Sequence, residues 1–407
     1  MNTVPLRRLA TVVNGGTPTP DSSNWGGEVA WATPVDLGRH DGRTIGATER
    51  TLTDRGLVTG SSLLPERSII LSTRAPIGYV CVNTVAMAFN QGCRGLIPRT
   101  NVSPDYLRYA LLHLRPRLQA AGTGSTFMEL STGSLASMPV PVVGDLVRQD
   151  AVVDFLDRET AKIDALIAKQ AQLARDVGER VDARWAHEVE TLTRDADVVP
   201  LRRVVESIVD GPFGSSLTSA HYSHSGARVI RLGNIGLASF RDEDRAYIPD
   251  EYARELAAHS VFPGDLVVAG LGDDRWPLGR ATVVPDLGVP AIVKADCYRI
   301  RPRRSVTASY LAWVLSSPPL REQFQLLSRG STRSRLNTQL VREALVPVPP
   351  PEIQRRVALD HEAATKRHNV LRNSSRLLQT RLSERRAALI TAAVTGTLNV
   401  TTYGKAG

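Results

Sequence analysis

A chain that repeats its own text at long range must build the same fold twice. Val4-Pro5-Leu6-Arg7-Arg8 returns as Val199-Pro200-Leu201-Arg202-Arg203, and Pro76-Ile77-Gly78 returns as Pro277-Leu278-Gly279. Gly124-Ser125-Thr126 returns as Gly330-Ser331-Thr332, Pro139-Val140-Pro141 as Pro347-Val348-Pro349, and Glu179-Arg180 as Glu384-Arg385. The separation drifts between 195 and 208 residues while the order holds, as small loop insertions would produce. A period of this size is too long for a solenoid unit, so each copy is predicted to be a whole domain with an attached element. The 407 residues are enough for two separate cores.

Residues 1–143 read as short strand-like runs broken by turn residues, at 29–32, 68–72, 78–82 and 93–97. A helix is predicted over 104–119, capped by Ser103, with Tyr106, Leu107, Ala110, Leu111 and Leu114 on its apolar face. The second copy runs the same way, with strands at 228–232, 265–269 and 281–284 and a matching helix over 308–325. The fold class that follows is α+β, mainly on twisted antiparallel sheet.

Each copy then passes through a Pro-Val-Pro stiffener into a long polar helix. Val152, Leu156, Glu159, Ile163, Leu166, Gln170, Leu173, Val177 and Arg180 fall at alternating steps of four and three, the seam of a coiled coil. The second helix carries the same phase in Val357, His361, Ala364, His368, Leu371, Ser375, Leu378, Leu382 and Arg385. Gln170, Ser375, His361 and His368 interrupt the apolar seam, at a cost in stability that can fix register. The two helices are expected to pair with each other, antiparallel, as a rod of roughly 50 Å; a homodimeric zipper is the alternative. The expected division is residues 1–143 and 191–350 for the two domains, 144–190 and 351–398 for the two helices.

The formal net charge is +9, and lysine occurs only at Lys162, Lys169, Lys294, Lys366 and Lys405, so the excess is arginine. Arginine suits forked contacts to phosphates and guanine edges, which favours a nucleic-acid partner. A GC-rich genome explains a high Arg:Lys ratio equally well, but not the net charge. Cys81, Cys93 and Cys297 lack metal-ligand spacing and read as buried thiols in a reducing compartment. With no apolar leader and no membrane-length apolar run, a cytoplasmic location is expected. No nucleophile elbow, zinc-protease pair or P-loop occurs, and Ser317-Pro318-Pro319-Leu320 lacks the donor residue of an amino-methyltransferase tetrapeptide. The chain is therefore expected to have no catalytic residues and to bind no metal or cofactor itself.

What remains are loops rich in forked and small polar side chains. The candidate DNA contacts are Thr17, Ser72, Thr73, Arg74, Asn90, Gln91, Ser125 and Thr126 in the first copy. In the second they are Ser215, Arg231, Asn234, Arg275, Ser331, Thr332, Arg333 and Arg335. Arg can fork onto guanine O6 and N7, Asn or Gln onto adenine N6 and N7, while Ser and Thr suit phosphate oxygens.

The order of these elements resembles the specificity subunit of type I restriction-modification systems along nearly the whole chain. The likeness is carried by Gly16-Thr17-Pro18, Trp31-Ala-Thr-Pro-Val-Asp36-Leu37, Ser72-Thr-Arg-Ala-Pro-Ile-Gly78 with Asn90-Gln91-Gly92, and Met138-Pro-Val-Pro141. It continues through Phe155-Leu-Asp-Arg-Glu-Thr-Ala-Lys-Ile-Asp-Ala-Leu-Ile167 and the closing Leu382-Ser-Glu-Arg-Arg-Ala-Ala-Leu-Ile-Thr-Ala-Ala-Val-Thr-Gly396. The resemblance implies two target-recognition domains, each reading one half of a split double-stranded DNA target, in defence against foreign DNA. It implies that the paired helices set the gap and dock methyltransferase subunits, two of them, with restriction/translocase subunits as further partners. S-adenosylmethionine, ATP and magnesium would belong to those partners. The second copy departs from the pattern, with Arg275-Trp-Pro-Leu-Gly for Arg74-Ala-Pro-Ile-Gly and no evident counterpart of Asn-Gln-Gly near Lys294-Ala-Asp296. A stand-alone sequence-specific DNA-binding regulator, without methyltransferase partners, is the alternative function.

Overall fold

The computed structural model describes residues 2–123, 128–273, 276–328 and 335–400. The chain divides into two compact units: Met1–Gln170 with Arg376–Gly407, and Ala171–Ser375. Each unit thus takes the start of one long helix and the end of the other.

Unit 1 is α+β. One sheet has the order Ala10–Asn14, Cys93–Pro98, Ile69–Ser72, Val80–Asn83, Thr44–Ile45; a second has Thr51–Leu52, Trp25–Ala32, Met87–Phe89, Leu63–Leu64. Most pairs are antiparallel, but Trp25–Ala32 runs parallel to Met87–Phe89 and Thr44–Ile45 parallel to Val80–Asn83. Strands Ile69–Ser72 and Val80–Asn83 are buried throughout, so each reads as an apolar run of three residues ending in a buried polar one, Ser72 or Asn83. Helix Pro104–Ala120 lays Tyr106, Leu107, Ala110, Leu111 and Leu114 into the main core. Ser103 occupies its N-cap position without a side-chain bond; its backbone N–H donates instead to Gln149 Oε1 at 2.9 Å.

Unit 2 repeats the plan. One sheet runs Val205–Val209, Cys297–Pro302, Leu266–Ala269, Ala281–Val283, and the other Tyr247–Ile248, Ala227–Ile230, Ala291–Val293, Ser260–Val261. Ala227–Ile230 again runs parallel to Ala291–Val293. The single helix expected over 308–325 is two, Ala308–Leu315 and Pro318–Leu327. Pro318 has no N–H to continue the ladder and disfavours helical geometry at Ser317, so the chain breaks there. Ser316 Oγ takes the N–H of Ala281 at 2.9 Å, anchoring the break to the sheet.

The Pro-Val-Pro segments are strands rather than free linkers. Val4 pairs with Val140 and Val199 with Val346, so the repeated opening text of each copy closes against its own end. Proline is tolerated there because each sheet has only two strands, with ladder positions to spare.

The long helices span Leu146–Asp195 and Pro351–Val394. In unit 2 Trp185 lies against His361 at 4.0 Å and His368 sits beside Gly178, so the two segments run antiparallel. In unit 1 Arg386 Nε meets Asp164 Oδ1 at 3.1 Å, and Val152, Phe155 and Leu156 share a core with Ile390, Ala393 and Val394. The contact line leaves the strict heptad. Leu166 and Leu173 are 50% and 55% exposed, and Leu371 and Leu378 are exposed as well. Ile163 of the seam stays buried and Gln170 and Val177 half-buried, while Ile167, Ala174 and Val181 turn inward in place of Leu166, Leu173 and Arg180.

Candidate nucleic-acid interface

In unit 1 the turn between Met87–Phe89 and Cys93–Pro98 carries Asn90-Gln91-Gly92. It is tied down by Asn90 N–H to Ala32 O and Cys93 N–H to Asn90 O, both 2.9 Å. Asn90 Oδ1 accepts from Gly92 N at 2.6 Å, and its Nδ2 donates to Thr17 Oγ1 at 3.1 Å. Thr17 Oγ1 in turn donates to Gln91 Oε1. Three of the predicted residues are therefore one cluster, with Thr17 and Gln91 exposed at its outer edge. Gly15 must be glycine, since a Cβ there would lie 2.2 Å from Asn90 O.

The loop after Ile69–Ser72 supplies Arg74. Ser72 and Thr73, predicted as contacts, are fully buried. Ser72 Oγ donates to Pro76 O at 2.7 Å and accepts from Tyr79 N at 2.9 Å; Thr73 Oγ1 donates to Gly92 O at 3.2 Å. They shape the loop because its backbone groups have no solvent to bond. Arg74 points outward and pairs with Glu129 at 3.1 Å. Arg94, which sequence reasoning passed over, joins both parts. Its Nη2 lies 3.6 Å from Glu129, Nε donates to Thr132 Oγ1 at 2.9 Å and Nη1 to Gln91 O at 2.9 Å. An arginine inside an otherwise buried strand, Cys93-Arg94-Gly95-Leu96, was the available signal.

Unit 2 has the same edge in other side chains. Lys294-Ala295-Asp296 forms the turn between Ala291–Val293 and Cys297–Pro302, with Lys294 N–H to Ile230 O at 2.9 Å and Cys297 N–H to Lys294 O at 3.0 Å. Gly270 N–H reaches Asp296 O at 2.8 Å, as Thr73 N–H reaches Gly92 O at 2.9 Å. The Asn-Gln-Gly turn therefore has a counterpart, hidden in the sequence because none of its three residues is kept. Gly211 repeats Gly15, with a Cβ meeting Lys294 backbone at 2.1 Å, which puts exposed Phe213 in the place of Thr17.

Arg335 bridges Leu271 as Glu129 bridges Arg74, and its Nε pairs with Asp296 at 2.8 Å. Lys294 Nζ and Arg231 Cζ lie 5.6 and 5.9 Å from the Tyr222 ring, a cation–aromatic row. Arg231 also pairs with Asp244. Asn234, predicted as a contact, is fully buried. Its Nδ2 donates to Arg241 O and Asp244 O, both 2.8 Å, and closes the loop from inside. Ser215 is exposed in the turn Gly214–Leu217. Behind the edge, burial raises the Asp210 carboxyl above its ordinary range, opposed by hydrogen bonds from the Gly211 and Asp296 backbones. Ser125, Thr126, Arg275, Ser331, Thr332 and Arg333 lie outside the described residues.

The cysteines are all buried and free. Burial pushes the Cys81 and Cys93 thiols up to about 12, and that of Cys297 upward too, so they are inert at neutral pH. Among the described residues no group of three or more His, Cys, Asp or Glu side chains is placed to hold a metal ion. Among them, too, no helix is long and apolar enough to cross a membrane.

The family described as type I restriction modification DNA specificity domain matches residues 1–175. Over residues 1–175 the chain is thus similar to that specificity domain. The type I restriction enzyme MjaIX specificity subunit of Methanocaldococcus jannaschii is 34% identical over 140 residues, 33% of this chain and 32% of that protein. The match thus spans about a third of that relative's length. A chain solved in work on complex assembly and conformational transition of the type I R-M system superposes with a TM-score of 0.68 at 15% identity, covering 98% of both chains. The HsdS subunit from Thermoanaerobacter tengcongensis gives a TM-score of 0.50 at 15% identity, covering 98% of this chain and 97% of that one. These two share the fold over nearly the full length. The likeness to specificity subunits read from the sequence is borne out, as is the α+β fold with two similar domains and paired long helices.

Proposed function

We propose that the chain is the non-catalytic DNA-recognition subunit of a type I restriction-modification complex. Each unit reads one half of a bipartite, asymmetric target in double-stranded DNA through the domains at residues 1–143 and 191–350. One observation carries this reading: the two units present the same turn-and-loop edge with different side chains at matching positions. Conserved backbone with exchanged tips is what two readers of different sequences require. The net charge of +9 supplies the phosphate-directed part of binding.

The paired helices set the gap between the half-sites and dock two methyltransferase subunits. Leu166 and Leu377 in unit 1, and Leu359 and Val370 in unit 2, are exposed apolar side chains suited to such contacts. Restriction/translocase subunits complete the assembly, and S-adenosylmethionine, ATP and magnesium act on those partners.

Long-read sequencing of host DNA tests the reading. Methylated adenines are expected in a single asymmetric, two-part motif that disappears when this chain is deleted. An unchanged methylation pattern would rule the proposal out.

A further inference from the structure

We propose that Arg335 is the guanine-reading residue of unit 2, positioned by Asp296 and Phe213, and that the half-site read by this unit carries a G·C pair opposite it. The inference rests on the DNA-recognition reading above and names the chemistry of one contact within it. Its place comes from backbone register. Leu336 N–H bonds Gly270 O at 2.9 Å just as Leu130 N–H bonds Thr73 O at 2.8 Å, so Arg335 stands where unit 1 has Glu129. At this one position of a shared edge the charge is reversed between the units.

The side chain is held for orientation, not only for charge. Asp296 takes its Nε edge at 2.8 Å, and the Phe213 ring lies 5.5 Å from Cζ. The Asp296 side chain is only 15% exposed, whereas that of Arg335 is 48% exposed. Asp296 is itself clamped, its N–H donating to Asp210 Oδ1 at 2.9 Å and its carbonyl accepting from Gly270. It adopts a φ of 64°, in the left-handed region, whereas Gly92 at the matching turn position of unit 1 does not. Aspartate tolerates this turn conformation, and its fixed carboxylate is placed to orient the guanidinium. A phosphate contact needs only a point charge, but guanine O6 and N7 need a planar fork at a set angle. Phe213, 51% exposed, adds an apolar face beside that fork suited to a neighbouring thymine methyl.

The full-length chain, incubated with a random-sequence duplex library and followed by sequencing of the bound DNA, tests this. The wild type is expected to enrich two short motifs at a fixed gap. Arg335→Lys should lose a guanine preference of about 10- to 100-fold at one position of one motif. Asp296→Asn should lose part of the same preference. The other motif stays intact in both variants and reports that the chain is folded. Unchanged preferences in Arg335→Lys and Arg335→Ala, or equal weakening of all sequences, would overturn the assignment. Failure of the wild type to enrich any two-part motif would instead overturn the recognition reading beneath it.

Discussion

The two units solve one problem, joining a domain to its long helix, with the same backbone clips and opposite side-chain chemistry. In unit 1 buried Arg108 lies over the Tyr109 ring at 4.1 Å and pairs with Asp157 at 3.2 Å, and Tyr109 donates to Asp157 at 2.5 Å. Counted from Tyr106 and Tyr310, the matching residues in unit 2 are Ala312 and Trp313. There Trp313 stacks 6.4 Å from Trp185, which rests on His361. A cavity of about 380 Å³ lies beside Ala312, lined in part by Ser309 and Glu362, the counterparts of Asp105 and Asp157. The clips are retained throughout. Tyr106 donates to Pro141 O at 3.1 Å and Tyr310 to Pro347 O at 2.7 Å; Gln149 and Gln354 each accept a helix-start N–H. Buried backbone groups cannot be exchanged for anything apolar, so the side chains that satisfy them persist. A side-chain ion cluster can be replaced as a set by packed aromatic volume.

The sharpest break in this symmetry is expected at the buried glutamines. Gln354 serves Thr307 N, Ser305 O and Pro349 O at 2.9–3.0 Å, whereas Gln149 holds Ser103 N at 2.9 Å and Asn101 O at only 3.5 Å. Gln354→Ala should lower the stability of unit 2 by about 3–4 kcal/mol, and Gln149→Ala that of unit 1 by less. Urea titrations compare them, with Trp185 and Trp313 reporting unit 2 and Trp25 and Trp31 reporting unit 1.

Acid should separate the junctions next. Burial holds His361 down to about 4 from the usual 6.5, against a smaller upward pull from Asp182. The unfolded chain gains a proton near pH 6.5 that the folded unit refuses until about pH 4. Stability from this group is full above pH 6.5 and falls through that window, by up to about 3 kcal/mol. His361→Phe should flatten the fall seen in Trp185 fluorescence. His113 in unit 1, lowered by burial and Arg117, should leave a residual response there.

Arg74→Ala is expected to weaken reading of one half-site about tenfold, leaving the other untouched. Equal loss on every sequence, with a smaller salt slope in binding assays, would make Arg74 a phosphate contact instead. The smallest effects should come from Leu166→Gln and Leu173→Gln. Both lie on heptad positions yet face solvent, so thermal unfolding should shift by no more than about 0.5 kcal/mol. A larger loss would restore the strict heptad seam.

Where sequence reasoning succeeded, the cause was local. Strand runs, the helix starting at Pro104 and the long helices follow from neighbours within a turn or two along the chain. The single helix over 308–325 fails because Pro318 lies inside that span, and a proline there forbids continuation. At the interface Thr17, Asn90 and Gln91 were found together because their types are polar and their loops short. Arg94 was missed because it sits in a strand, and Ser72, Thr73 and Asn234 were overcounted because polarity alone does not say which way a loop residue turns.

The duplication, the arginine-borne charge, the alternation of sheet and long helix, and the likeness to specificity subunits were all determined by the sequence alone, since each is a property of residue order. Which residues of the shared edge face outward was decided only by tertiary structure. Asp296 takes the place of Gly92, and Arg335 that of Glu129, through backbone hydrogen bonds that no side-chain identity encodes. The equivalence of the two copies lives in their main chains, and main-chain partners are chosen by the fold.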